Sequence, residues 1–317
     1  MSGAPMVDRL ALIGLGLIGS SIGRAARRAG LAGEIVGHAR TSATRVRALE
    51  LGFIDRATDT ACEAAEGADL VIVCTPVGAC GAVAREIAPA LAPGAIVSDA
   101  GSVKKAVIEA MAPHIPPGVH FIPAHPIAGT EQSGPEAGFA ELFDERWCVL
   151  TPLPETDPAA VARLRAFWEG LGAKVDEMDP ERHDLVLAVT SHVPHAIAYT
   201  MVGVAEHLRR VTEKEVIQFS AAGFRDFTRI AASDPVMWRD VFLANREAVL
   251  DILGRFAEEL FVLQRAIRMG DGRFLEDYFT ETRAIRRGII EAGQDIPAPD
   301  FGRTLLRRAE GKKGGES

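Results

Sequence analysis

Leu10-Ala11-Leu12-Ile13-Gly14-Leu15-Gly16-Leu17-Ile18-Gly19-Ser20-Ser21 begins as an apolar run, passes through three spaced glycines and enters a helix-compatible segment, Ile22 to Ala29. That order is strand, turn, helix. Gly14 permits a tight turn and Gly16 removes the Cβ that would block an approaching pyrophosphate. Gly19 lets helix and strand pack closely, with the helix N-terminus facing the phosphate charge. The spacing predicts a dinucleotide site rather than a merely structural glycine turn, because strands and helices go on alternating after it.

Glu34-Ile35-Val36-Gly37-His38 reads as the second strand, whose last residue normally faces the adenosine ribose. Glu34 opens that strand and points to its far edge, which leaves His38, Ala39 and Arg40 at the useful end. No carboxylate stands there to accept from a ribose 2′-hydroxyl. Arg40, Thr41, Ser42 and Thr44 suit a 2′-phosphate, so NADP is admissible beside NAD. A solvated Arg40 is the plain alternative.

Asp69-Leu70-Val71-Ile72-Val73-Cys74 is a continuous apolar run of the kind buried on both faces of a parallel sheet. It ends at Thr75-Pro76, where the strand opens onto a loop. Helical spacing from Ala79 to Leu91 leads to a strand, Ala95 to Asp99, and to a further strand-to-helix junction, Ala100-Gly101-Ser102-Val103-Lys104. Ligands in such sheets sit beyond the carboxyl ends of the strands, so Ser102 is either a polar contact or the N-cap of the next helix. Val119 to Ala124 reads as one more strand, ended by His125-Pro126-Ile127-Ala128-Gly129, and a histidine there suits a base presented to a cleft. Trp147 to Leu150, a helix from Pro158 to Leu171, and Lys174 to Met178 complete the alternating part.

From Asp179-Pro180 onward strand signals stop. His183 to Ala198 reads as one helix kinked at Pro194, or two that meet there. Ser233-Asp234-Pro235 is a helix start, and Trp238, Phe242, Val249, Ile252, Phe256, Leu260, Leu263 and Ile267 then recur at three- and four-residue steps. They predict one helix of over about thirty residues whose apolar stripe suits pairing with a second copy, or a core internal to one chain. The expected fold class is α/β: an N-terminal Rossmann-type, doubly wound, mostly parallel sheet over 1–180, an all-α substrate and dimerisation domain over 181–296, and a loose tail over 297–317.

With 317 residues, 48% hydrophobic and 25% charged, the chain can bury a large core. Its 35 basic against 43 acidic residues, net charge −8, argue against nucleic acid and against an anionic membrane surface as partners. Any anionic substrate must meet locally placed cations. The first thirty residues lack the basic region and the small-residue cleavage site of a signal peptide, three glycines interrupt the apolar run from Leu10, and no apolar segment approaches the about 20 residues of a membrane span, so a cytoplasmic setting is expected. Cys62, Cys74, Cys80 and Cys148 have neither disulfide density nor paired metal spacing.

Gly14 to Ser21, Asp99-Ala100-Gly101-Ser102-Val103-Lys104, His125-Pro126-Ile127-Ala128-Gly129, Ser191-His192-Val193-Pro194-His195 and Gly223-Phe224-Arg225-Asp226-Phe227-Thr228-Arg229 occur in that order. Together they resemble the prephenate and arogenate dehydrogenases of tyrosine biosynthesis, over roughly residues 8 to 290. The resemblance implies a dimer with interlocking helical domains and oxidative decarboxylation of an anionic cyclohexadienyl acid. It implies that His125 takes the proton of the ring hydroxyl, that Ser102 orients hydroxyl and histidine, that Arg229 binds a substrate carboxylate and that His195 lies near the substrate side chain. His192, Asp226 and Trp238 match further active-site or supporting positions. The cofactor would meet Gly14, Gly16, Leu17, Ile18, Gly19, Arg40, Thr41, Thr44, Thr75 and Pro76. The family's usual acidic residue after the second strand is absent here, which leaves NAD and NADP both open.

The residue types fit that chemistry. Imidazole, with an ordinary pKa of about 6.5, is a neutral base near pH 7, and guanidinium grips a carboxylate bidentately. Plainer roles are a structural hydrogen bond for His125, and for Arg229 an ion pair with Asp226 or with an acid of the next helix. His192 and His195 share a helix face, but without the glutamate of H-E-x-x-H and a third ligand no metal is expected. A 3-hydroxyacid dehydrogenase that releases no carbon dioxide, and a nucleotide-sensing dimer without catalysis, are the competing readings.

Overall fold

The computed structural model describes residues 4–209 and 221–291, so the tail expected over 297–317 lies outside the described residues. The chain divides into two compact units, Met1–Ile252 and Leu253–Ser317. The first opens with β1 (Val7–Ile13), α1 (Leu17–Ala29), β2 (Ala32–His38), α2 (Ser42–Glu50), β3 (Arg56–Thr58), α3 (Ala61–Ala65), β4 (Leu70–Val73), α4 (Cys80–Ile87), β5 (Ile96–Asp99), α5 (Lys105–Met111) and β6 (His120–Phe121). Their strands form one parallel sheet in the order β3-β2-β1-β4-β5-β6.

Period-two alternation puts the apolar side chains of each strand on both faces. Leu10, Leu12, Ile35, Leu70, Ile72 and Ile96 pack on one side with Ile22, Ala25 and Ala26 of α1. Ala11, Ile13, Val36, Val71, Val73 and Val97 pack on the other with α3, α4 and α5. Helices on both faces leave the carboxyl ends of β1, β4 and β5 as one shared edge, where a ligand sits in sheets of this kind.

The strand expected from Val119 to Ala124 is two short strands in different sheets. His120 N and Ile122 N donate to Ala95 O and Val97 O, but the next donor of that ladder, Ala124 N, turns to the Asp99 side chain, and the Pro123 carbonyl accepts from Thr151 N. The chain thereby leaves the first sheet and forms β7 (Ala124–Pro126) in a second, three-stranded one with β8 (Trp147–Leu150) and β9 (Lys174–Glu177). β7 runs antiparallel to β8, and His125 lies opposite Val149 inside β7 rather than after it. α6 (Pro158–Gly170) connects β8 to β9 and packs Leu164, Phe167 and Trp168 into the first core.

α7 (Pro180–Leu187) is capped by Asp179, and a π turn over Ala188–His192 joins it to α8 (Val193–Arg209). Pro194 offers no N–H and its ring crowds the carbonyl one turn earlier, so the wider turn before it takes up the misfit within one helical run. This run, Pro180–His207, is long and apolar enough to cross a bilayer by length and composition, contrary to the expectation from sequence. It carries His183, Asp184 and His192 fully or almost fully buried, which marks its inward face as a core helix of the unit.

α9 (Ala222–Thr228), a 3-10 turn over Arg229–Ala232 and α10 (Pro235–Ala244, capped by Asp234) follow. The single long helix expected through Trp238 and Ile267 is broken at Asn245, where α10 stops and α11 (Arg246–Met269) starts. Asn245 leaves helical geometry while its side-chain amide donates to the Asp184 carbonyl. In the second unit α12 (Gly272–Glu291) exposes Phe279, Ile285 and Ile289, and the end of α11 exposes Leu260, Phe261 and Ile267.

Candidate active site

Two groups of side chains gather in the first unit. At the carboxyl end of β1, Gly14 has φ +104°, a conformation that favours glycine, and a Cβ there would stand 2.6 Å from the Cys74 carbonyl oxygen. A Cβ on Gly19 would collide with the Gly14 carbonyl. Gly16 meets nothing within 4 Å, so the turn is a cradle open on that side. Gly16 is also the N-cap of α1, with no side-chain cap and no acid in the first turn. Ser20 and Ser21 turn their hydroxyls back to the Gly16 and Leu17 carbonyls, and the leading N–H groups of Leu17 and Ile18 stay uncapped. Thr75 follows β4 directly beside Gly14. The residues present fit a dinucleotide pyrophosphate.

At the end of β2, His38 is held by its Nδ1 at 3.1 Å from the Thr58 carbonyl. Thr41 caps α2 through Thr44 N, the two threonine hydroxyls are 2.7 Å apart, and Arg40 is exposed.

The second group is built on the β5–α5 junction. Lys104, wholly buried, donates from Nζ to Asp99 at 2.5 Å and to the Ala124 carbonyl at 2.6 Å. Asp99 in turn accepts from Gly101 N and Ala124 N. Ala124 is thus fixed from both its polar groups, and His125 is the next residue. Nδ1 of His125 lies 2.9 Å from Nε2 of His183, whose own Nδ1 lies 2.9 Å from the Asp184 carboxylate. Asp184 accepts the backbone N–H groups of Lys104 at 2.7 Å and Lys105 at 3.0 Å. Asp184, not Ser102, therefore caps α5: the N-cap residue is Lys104, it makes no side-chain cap, and Ser102 lies half-buried ahead of it.

Burial holds the pKa of His125 well below 6.5, reinforced by His183, Lys104 and His192. Burial also lowers His183, against the opposing pull of Asp184. His192 is held at about 4, again chiefly by burial. All three are neutral at pH 7. Asn245 Nδ2 donates to His192 Nδ1 at 3.0 Å, and the His192 ring meets Trp238 edge-on. His195 stacks on Trp238 with ring centroids 3.6 Å apart, and its pKa is lowered by burial and by the charge of Arg229. Arg229 is paired at 3.0 Å with Glu131, on the loop after β7, rather than with Asp226 or an acid of the following helix. Asp226 stands half-buried on α9 just before it.

The structure thus links His125, through His183, Asp184 and Asn245, to His192, Trp238 and His195, with the charge of Arg229 acting on His195 and the Ser102 backbone bonded to His192, while the glycine turn, Thr75 and Pro76 form the neighbouring cradle. Sequence reasoning missed His183, Asp184, Asn245, Lys104 and Glu131. The adjacent His183-Asp184 pair in a helix first turn was visible, but its partner lies 58 residues away and no spacing announces it.

The family model "Prephenate dehydrogenase, nucleotide-binding domain" matches residues 22–177, and "Prephenate dehydrogenase, dimerization domain" matches residues 179–281. The chain is 42% identical over 263 residues to cyclohexadienyl dehydrogenase of Zymomonas mobilis subsp. mobilis, covering 83% of this chain and 89% of that one. It is 35% identical to prephenate dehydrogenase of Bacillus subtilis, covering 84% and 72%. Among solved structures, prephenate dehydrogenase from Aquifex aeolicus, in complex with hydroxyphenyl propionate and NAD+, superposes with TM-score 0.83 at 34% identity over 89% of this chain and 98% of that one.

Proposed function

The chain belongs to the prephenate dehydrogenase family, and from that premise we propose that it oxidises and decarboxylates prephenate, arogenate or both, a step of tyrosine biosynthesis. A bound nicotinamide dinucleotide supplies the hydride acceptor. The nucleotide is NAD or NADP: the end of β2 offers Arg40, Thr41 and Thr44 to a 2′-phosphate and no carboxylate to a 2′-hydroxyl. Gly14, Gly16, Leu17, Ile18, Gly19, Thr75 and Pro76 hold its pyrophosphate and adjoining groups.

His125 is the base. Its neutral imidazole takes the proton of the ring hydroxyl as the oxygen's electron pair forms a carbonyl and hydride leaves the same carbon. Carbon dioxide then departs, its bonding pair passes through the ring to the oxygen, and the ring becomes aromatic. Ser102 orients hydroxyl and imidazole. Arg229 binds a substrate carboxylate, taking the place that Glu131 occupies on the guanidinium. His195, stacked on Trp238, lies toward the substrate side chain, with His192 and Asp226 in support. One observation supports this reading: contacts link the neutral imidazole of His125 through His183, Asp184, Asn245, His192 and Trp238 to His195, whose pKa the charge of Arg229 helps to lower.

Residues 1–180 serve the nucleotide and 181–296 the substrate and a second copy of the chain. The apolar residues exposed on α8, α11 and α12 and the matched dimerization domain support a homodimer. Four free cysteines suit a cytoplasmic setting. Steady-state oxidation of prephenate and arogenate with NAD and NADP, in all four pairings, tests the proposal. At least one pairing reduces the cofactor; no reduction in any pairing would contradict it.

A further inference from the structure

His183 and Asp184 belong to none of the roles above, yet both are buried, His183 is bonded to the proposed base and Asp184 to His183. A carboxylate has no proton to give, so where Asp184 meets Nδ1 of His183 the proton belongs to the histidine. The carboxylate is held in place by the N–H groups of Lys104 and Lys105 at the start of α5. A neutral His183 protonated on Nδ1 presents a bare Nε2, and that atom lies 2.9 Å from Nδ1 of His125. Two bare nitrogens cannot share a hydrogen bond, so His125 carries its proton on Nδ1.

We propose that His183 and Asp184 are positioning residues that lock His125 into the tautomer whose Nε2 lone pair faces the substrate hydroxyl. The inference rests on the reading of His125 as base. When Nε2 accepts the hydroxyl proton, the substrate O–H bond breaks and an N–H bond forms. The resulting imidazolium keeps its Nδ1–H on His183, and the Asp184 carboxylate faces the developing charge across one neutral ring. The proton returns from Nε2 to the phenolate oxygen when the ring has become aromatic, which restores the starting tautomers. Lys104, His192 and Asp99 also lie around this pair. Lys104 is bound to Asp99 and the Ala124 carbonyl, and His192 to Asn245, so none of them sets the His125 proton.

Asp184→Asn tests the lock at the cost of one cap bond. Oδ1 of Asp184 meets both His183 Nδ1 and Lys104 N, so an NH₂ turned to His183 keeps only the bond from Lys105 N to the amide oxygen, and it forces the reversed arrangement: Nε2–H on His183 and Nε2–H on His125. Turnover should fall by about 10²- to 10⁴-fold with substrate KM and cofactor affinity nearly unchanged, the signature of a base held in the wrong tautomer. His183→Leu should lower turnover by about 10- to 100-fold, and His183→Gln should recover part of that, because an amide oxygen accepts from Nδ1. Imidazole ¹⁵N spectra, assigned by the signals missing in His125→Asn, should show His125 bare at Nε2 in the wild type and protonated there in Asp184→Asn. A wild-type His125 protonated at Nε2 would overturn the inference even if no variant folds. Normal turnover in Asp184→Asn beside a collapsed His125→Asn overturns this inference alone; normal turnover in His125→Asn overturns the base reading and the inference with it.

Discussion

A buried histidine whose pKa sits well below 6.5 is already the free base at pH 7. The sign follows: the active form exists above that lowered value, so kcat/KM should stay level from pH 8 down through 6.5 and decline only at lower pH. A pH–rate profile that falls with an apparent pKa at or above 6.5 would contradict the assigned environment. Arg229 is a different case, since it is half-exposed and already paired with Glu131. Arg229→Ala should raise substrate KM by about 10- to 100-fold, as expected for a lost charge-assisted contact of roughly 1.5–3 kcal/mol, with a smaller effect on cofactor KM. Unchanged substrate saturation would count against it. Both residues stand out in the sequence because His125 opens one short motif and Arg229 closes another. His183 and Asp184 were not, because their role depends on a contact between β7 and α7 that no local pattern encodes.

At the scale of elements, the strands of the first sheet were legible where apolar residues run continuously, as in Leu70 to Val73, since burial on both faces leaves no polar alternation to misread. β3, only Arg56-Ala57-Thr58 at the sheet edge, carries no such signal. The break at Asn245 was hidden for the opposite reason: the apolar stripe continues across it, and the side chain that interrupts the helix does so through bonds to Asp184 and His192, far away in sequence. The β5–α5 junction depends on one buried ion pair. Lys104→Met would leave the Asp99 carboxylate buried without its cation, so it should destabilise the fold by about 3–5 kcal/mol in urea denaturation. A loss below about 1 kcal/mol, the usual value of a surface pair, would show that the pair is not buried as described.

For the whole molecule, four histidines with lowered pKa values tie stability to pH. The unfolded chain takes up protons at these positions as pH falls through 6.5, whereas the folded chain resists. Stability is therefore full above about 6.5 and lost as pH drops toward the folded values. His192 alone, held at about 4, should account for on the order of 3 kcal/mol between those limits. Denaturation free energies between pH 6.5 and 5 should decline in the wild type and less steeply in His192→Leu; parallel slopes would contradict the burial of that imidazole. The alternation of strands and helices around β1, β2, β4 and β5 and the change to helices after β9 were readable from sequence. The second sheet was not readable, because the chain changes sheets where Ala124 N turns to the Asp99 side chain, 25 residues away in sequence, with no change in hydrophobic pattern.

We propose that one neutral imidazole, that of His125, removes the hydroxyl proton in an oxidation that expels carbon dioxide. Carbon dioxide released per cofactor reduced, measured for wild type and His125→Asn on whichever substrate the wild type accepts, tests it most directly. The ratio should be about one for the wild type and, in the variant, both products should be slowed together by about 10²- to 10⁴-fold with cofactor affinity retained. Cofactor reduction without carbon dioxide, or a variant that turns over at the wild-type rate, would contradict it.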